Sequence, residues 1–168
     1  MLSKLFGGKN KANVLEIAAP LTGTAVPLNA VPDQAFAEGH MGGGLAVEPE
    51  EGRLVAPFDG TVAHLIKSKH AVILEHASGV QVLMHIGINT VALKGEGFHA
   101  LVATGDTVKA GQTLIEFDME AIRTAGYPLI TPVVLANQAE AAAELDAVKT
   151  GRVQAGEPGM LRVSVKPQ

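Results

Sequence analysis

Apolar and polar positions alternate along residues 80–88, where Val80, Val82, Met84, Ile86 and Ile88 interleave with Gln81, Leu83, His85 and Gly87. A strand turns successive side chains to opposite faces. The period of two therefore predicts a β-strand with Val80, Val82, Met84 and Ile86 inward and Gln81, Leu83 and His85 outward. An apolar run, Ala71-Val72-Ile73-Leu74, lies just ahead of it, and Ser78-Gly79 between the two supplies turn chemistry. Together they predict a hairpin over residues 70–86 that turns at His76-Ala77-Ser78-Gly79. Residues 105–115 read as turn, strand, turn, strand, and Thr131–Leu135 as a further strand. Asp118 is expected to cap a short helix that runs to Thr124 and stops at Gly126 and Pro128. Asn137 is expected to cap an Ala-rich helix over Gln138–Lys149, and residues 151–165 to form a closing hairpin around Glu157-Pro158-Gly159.

A repeat runs through the first half. Ala19-Pro20-Leu21-Thr22-Gly23-Thr24-Ala25-Val26 returns as Ala56-Pro57-Phe58-Asp59-Gly60-Thr61-Val62-Ala63. Each copy has Pro leading into a strand and Gly at the bend, as one duplicated β unit packing against its copy would require. The expected architecture is all-β: an antiparallel β-sandwich or flattened barrel with one or two short helices. Residues 16–168 are expected to form a single domain, and residues 1–15 a flexible tail. Leu2, Leu5 and Phe6 stand at helical spacing in that tail beside Lys4, Lys9 and Lys11, a pattern suited to weak membrane contact.

Composition narrows the class. The chain has 168 residues, 47% of them hydrophobic and 18% charged, enough apolar material for a sizeable core. Its formal charge of −4 argues against a nucleic-acid surface. With no cysteine, disulfides, thiol catalysis and cysteine-ligated zinc are excluded. No apolar run is long enough to span a bilayer and no secretory signal opens the chain, so a cytoplasmic location is expected. Residues 105–111 lack the Lys-Ser/Thr of a nucleotide-binding loop.

Of six histidines, two carry a chemical argument. A hairpin turn centred between Ala77 and Ser78 puts His70 directly opposite His85, where cross-strand Cβ atoms stand about 5 Å apart. A slip of one residue would send the two rings to opposite faces. His85 is expected at the surface among exposed aliphatics, Leu83 and Ile88. Two facing imidazoles could form a nucleophile and its hydrogen-bonding helper in phosphoryl transfer, a general acid/base couple, or part of a zinc site needing a further ligand. Spacing alone leaves these three open.

The sequence around His85, Gly79-Val-Gln-Val-Leu-Met-His85-Ile-Gly87-Ile-Asn89-Thr90-Val91, resembles the signature of the glucose-type enzyme IIA of the bacterial phosphoenolpyruvate-dependent sugar phosphotransferase system. Val31-Pro32-Asp33, Phe36-Ala37-Glu38, Lys69-His70-Ala71, Leu93-Lys94-Gly95-Glu96-Gly97-Phe98 and Thr131-Pro132-Val133-Val134 extend the similarity. The resemblance implies a sandwich of the duplicated-hybrid-motif kind and a phosphocarrier. It implies that His85 is phosphorylated by the phosphocarrier protein HPr and passes the group to the IIB domain of a glucose-class sugar permease. It further implies that His70 stabilises the phosphoryl group and that the Ser68 hydroxyl orients His70. Asp33, Phe36, Leu83, Ile88, Asn89 and Val91 match the docking surface. Regulated transporters or metabolic enzymes are further expected partners. No cofactor is obligatory, although zinc could bridge His70 and His85 at a partner interface. Asn89 stands where an aspartate is common, and Gln34 where the docking face is apolar. Two rivals fit less well. A biotinyl or lipoyl carrier would need a modified lysine in a short hairpin motif, and a zinc hydrolase a His-x-His pair; neither occurs.

Overall fold

The computed structural model describes residues 13–166. Fourteen strands run in chain order: β1 (Asn13–Ile17), β2 (Gly23–Pro27), β3 (Gly44–Pro49), β4 (Arg53–Val55), β5 (Gly60–Leu65), β6 (Ala71–His76), β7 (Gln81–His85), β8 (Phe98–Ala100), β9 (Thr107–Val108), β10 (Thr113–Phe117), β11 (Thr131–Leu135), β12 (Ala143–Val148), β13 (Gly151–Val153) and β14 (Leu161–Val165). Two short helices, α1 (Gln34–Ala37) and α2 (Met119–Thr124), interrupt them. All strand pairing is antiparallel, in an eight-stranded sheet of order β13-β2-β3-β11-β7-β6-β5-β9 and two three-stranded sheets, β4-β10-β8 and β1-β14-β12. The expected all-β sandwich with short helices is the observed architecture.

The eight-stranded sheet is built from two equivalent halves. β2 and β5, the strands of the repeat, each lie second from an edge, flanked by β13 and β3 on one side and by β9 and β6 on the other. The segments leading into them match in detail. Ala19 exchanges hydrogen bonds with Glu157 and Gly156, while Ala56 exchanges them with Gln112 and Gly111. The copies also grip each other, Val55 N–H donating to the Pro20 carbonyl and Ala18 N–H to that of Pro57. Duplication thus supplies the symmetry that the repeat suggests.

Alternation sorts the eight-stranded sheet into two apolar faces. Leu45, Val47, Val72, Leu74, Val82, Met84, Val133 and Leu135 face the main core with residues of the two smaller sheets, among them Ile17, Leu54, Leu114 and Val163. Ala46, Ala71, Leu83 and Val134 point the other way. There they join Val31, Phe36, Ile88 and Ile130 in a second buried cluster. Phe36 comes from α1, whose N-terminus is capped by Asp33 through the amides of Ala35 and Phe36.

Several expectations are corrected. Residues 138–149 do not form a helix: a turn over residues 136–142 leads into β12, which pairs with β14. Alanine's helix propensity is overridden because Ala143 and Leu145 pack inward while Glu144 and Asp146 sit opposite them, the strand period. Asn137 instead joins two strands, its Oδ1 accepting from Gln81 N–H and its Nδ2 donating to the Gly79 carbonyl, both at 2.8 Å. Residues 151–165 form no hairpin, since β13 pairs with β2 and β14 with β1 and β12. The domain's first strand begins at Asn13, ahead of the expected boundary at residue 16. The suggested lipid contacts, Leu2, Leu5 and Phe6, lie outside the described residues. The helix capped by Asp118 and ending at Thr124 is present as α2.

Candidate active site

His85 ends β7 and His70 immediately precedes β6. The hairpin turns where expected, with Gly79 N–H donating to the His76 carbonyl, but its register differs by one residue from expectation: Ala71, not His70, lies opposite His85. On a regular ladder that slip would part the rings. They meet nonetheless, with centroids 4.8 Å apart and planes at 81°. The ladder starts only at Ala71, and Lys69 before it takes a left-handed conformation (φ +62°). His70 stands at the open end of the ladder, its carbonyl accepting from Ile86 N–H at 2.7 Å, and its ring lies near both His85 and Phe98, the latter at 6.4 Å.

His85 shares the outer face of β7 with Leu83. That face is not bare. Leu83 (8% exposed) and Ile88 (1%) are buried in the second cluster, which corrects the expectation that both lie at the surface. Residues 28–37 supply the cover, and Phe36 packs its ring 5.2 Å from that of His85. Asp33 acts at the same spot, because its charge acts on the His85 ring. Beyond the strand, Asn89 is exposed at the head of a 3-10 turn over Thr90–Leu93, and Val91 on that turn is 53% exposed. Around the half-buried His85 ring, Val91 and Asn89 are thus exposed and Asp33 half-buried, while Leu83, Ile88 and Phe36 lie buried.

The two rings differ electrostatically. The Nδ1 of His85 lies 2.7 Å from the Gly87 carbonyl oxygen. A carbonyl only accepts, so Nδ1 carries the proton and Nε2 keeps the lone pair. Burial lowers the pKa of His85 below the usual histidine value, opposed by this hydrogen bond and by the Asp33 charge. His70 is buried more completely, at 4% exposure. Burial, with the adjacent His85 as a lesser cause, lowers its pKa to about 4. Both rings are neutral at pH 7. The Nδ1 of His70 is buried with no hydrogen-bond partner, and Ser68 stands half-buried two residues before it.

Gly87 was not among the expected site residues, although its identity carried a signal. Its φ is +74°, and a Cβ there would come within 2.7 Å of the Pro128 carbonyl oxygen and of the Thr90 methyl group. Only glycine lets the chain bend so that the carbonyl two residues after His85 returns to its ring. The other histidines stand apart: His40, His64 and His99 are exposed, and His76 packs edge-on to Phe58 with its Nδ1 bonded to the Ser78 hydroxyl. Among the described residues no cluster of three or more His, Cys, Asp or Glu is placed to hold a metal. Zinc at the paired rings would need a ligand from another molecule. No helix of the described residues is long and apolar enough to cross a membrane.

A duplicated β-sandwich with this signature places the chain in a class of sugar-transport phosphotransferase proteins. Residues 15–141 match the family model for "phosphoenolpyruvate-dependent sugar phosphotransferase system, EIIA 1". The structure is similar to that of glucose permease IIA from Mycoplasma capricolum, with a TM-score of 0.83 and 31% identity, covering 89% of this chain and 96% of that one. The PTS system glucose-specific EIIA component of Bacillus cereus is 40% identical over 166 residues, covering 99% of this chain and 100% of that protein. The PTS system glucose-specific EIIBCA component of Corynebacterium glutamicum is 53% identical over 124 residues, 74% of this chain but 18% of that longer protein. The chain belongs to the EIIA 1 family of the phosphoenolpyruvate-dependent sugar phosphotransferase system, as a component of the glucose type. It is a phosphocarrier of that system, and the biotinyl, lipoyl and zinc-module alternatives are not favoured.

Proposed function

We propose that His85 Nε2 accepts a phosphoryl group from phospho-HPr and passes it to the IIB domain of a glucose-class sugar permease. The observation that carries this reading is the fixed tautomer: a partly exposed imidazole whose Nδ1 proton is held by the Gly87 carbonyl leaves Nε2 bare and nucleophilic. In the forward step the Nε2 lone pair forms the new N–P bond. The donor's N–P bond breaks, and its electron pair stays on the donor nitrogen. Both ends are phosphoramidates, so the exchange is nearly balanced in energy, and the protein contributes position and charge stabilisation.

His70 fills the second role. Its Nδ1 is sealed, so Nε2 is the nitrogen that serves the phosphoryl oxygens, donating a hydrogen bond as negative charge gathers on them. Its low pKa keeps it neutral and prevents it from competing as a cation while His85 is unmodified. Asp33 at the rim offers a carboxylate to a partner's cations, and Val91 an apolar contact. The fusion of EIIA with IIB and IIC in the Corynebacterium relative supports a IIB domain as the acceptor.

The test is reconstitution with phosphoenolpyruvate, enzyme I, HPr and a candidate glucose IIB domain. One acid-labile phosphate per chain is expected, absent in His85→Gln. His70→Gln is expected to accept phosphate yet lose most transfer to IIB. Stable labelling of the His85 variant contradicts the assignment.

A further inference from the structure

Among the described residues, three polar side chains are buried: His70, Thr90 and Thr131. The first belongs to the imidazole pair; the two threonines, each 0% exposed, stand beside the chain leaving His85. Thr90 Oγ1 donates a hydrogen bond to the Ile86 carbonyl at 2.6 Å. The Gly87 N–H donates to Thr131 Oγ1 at 3.4 Å, and that hydroxyl donates in turn to the Leu129 carbonyl at 2.9 Å. The Ile86 carbonyl and the Gly87 amide are the two ends of one rigid peptide plane. The next carbonyl along the chain, that of Gly87, is the one that accepts from His85 Nδ1.

We propose that Thr90 and Thr131 are positioning residues for His85, holding this peptide plane at both ends so that the Gly87 carbonyl stays aimed at Nδ1. The proposal rests on the reading that His85 Nε2 is the nucleophile. Glycine gives the bend its positive φ but resists rotation least of all residues. An unheld plane lets the carbonyl swing away, and the imidazole is then free to place its proton on Nε2, the nitrogen that must stay bare. Valine would fill either site with no hydroxyl to desolvate, and a buried hydroxyl is unfavourable unless it is bonded. Here both hydroxyls bond the Ile86–Gly87 peptide, and that of Thr131 also donates to the Leu129 carbonyl. The restraint resembles the way outer residues fix the ring orientation of a metal-bound histidine, with a peptide in place of a carboxylate.

The experiment uses the full chain labelled with 15N-histidine, comparing wild type with Thr90→Val, Thr131→Val, Thr90→Ser and Thr131→Ser. Imidazole 15N shifts report which nitrogen of His85 carries the proton, without any phosphotransfer. In wild type Nε2 is expected bare. In each valine variant the shifts move toward a protonated Nε2, and kcat for acceptance from phospho-HPr falls about tenfold, the order expected for one lost hydrogen bond. KM for HPr stays unchanged because the docking surface is untouched, and the serine variants restore shifts and rate. Wild-type shifts in both valine variants, or no rescue by serine, overturn the proposal. Should the valine variants fail to fold, the Thr90 hydroxyl proton of wild type decides. A slowly exchanging resonance coupled to the Ile86 carbonyl supports the grip, and fast exchange overturns it. A wild-type protein that takes no phosphate on His85 would sink the functional reading alone, because the shift comparison still reads the grip.

Discussion

At the scale of single residues, the two adjacent imidazoles both have lowered pKa values but sit in unlike surroundings. His85 has one nitrogen tied to a backbone carbonyl and one free; His70 has one sealed and one available. The low pKa of His70 ties this chemistry to stability. Well above pH 6.5 the ring is neutral in both folded and unfolded chains. As the pH falls toward about 4, the unfolded chain takes up a proton that the folded protein refuses, so stability drops across that window. Urea midpoints measured from pH 7 to pH 4.5 are expected to fall less steeply for His70→Gln than for wild type. Equal slopes would contradict the burial assigned to this ring. The residues themselves were legible in the sequence: His70 and His85 stood out by hairpin spacing and by family likeness. That the rings still meet despite the one-residue register slip was not legible, because Lys69 just before His70 adopts a left-handed backbone, for which a lysine gives no sequence signal.

At the scale of elements, α1 brings Phe36 and Asp33 to His85, although only four residues long. So short a helix depends on its cap and its packing. Asp33→Ala removes the cap and is expected to destabilise the protein by about 1 kcal/mol in chemical denaturation. It also withdraws a charge that raises the His85 pKa, so the NMR titration midpoint of His85 is expected to fall below that of wild type. An unchanged or higher midpoint would show that Asp33 does not act on the ring. Sequence patterning gave β7, β11 and α2 because their alternation or caps are local. It missed α1, whose Gln-Ala-Phe-Ala holds a single core residue and shows no period. It read β12 as helix because alanines favour that form until a neighbouring strand claims their backbone. The outer aliphatics Leu83 and Ile88 likewise read as exposed, since nothing along β7 reports that residues 28–37 fold back over them.

At the scale of the whole molecule, duplication explains both the sheet and its sensitive points. Gly23 and Gly60 begin the equivalent strands β2 and β5, and each presses against a partner strand. A Cβ would sit 2.0 Å from the Glu48 carbonyl oxygen in one copy and 2.4 Å from that of Glu75 in the other. Gly23→Ala and Gly60→Ala are therefore expected to lose similar stability, about 2 kcal/mol or more, although they lie in different halves of the sheet. Denaturation midpoints check this, and a neutral effect in either variant would break the equivalence. The repeat was readable because Ala-Pro and Gly recur at matched positions. The exchange of C-terminal strands between sheets was not, because β13 and β14 are separated by a turn that looks like a hairpin and lead into different sheets.

The central claim is that one nitrogen of one histidine carries the phosphoryl group while its neighbour stays unmodified. Phosphorus coupling in the 15N spectrum of histidine-labelled protein, phosphorylated through HPr, reads this directly. A single N–P coupling at Nε2 of His85, with both nitrogens of His70 uncoupled, is the expected result. Coupling at Nδ1 of His85, or at either nitrogen of His70, would contradict the account.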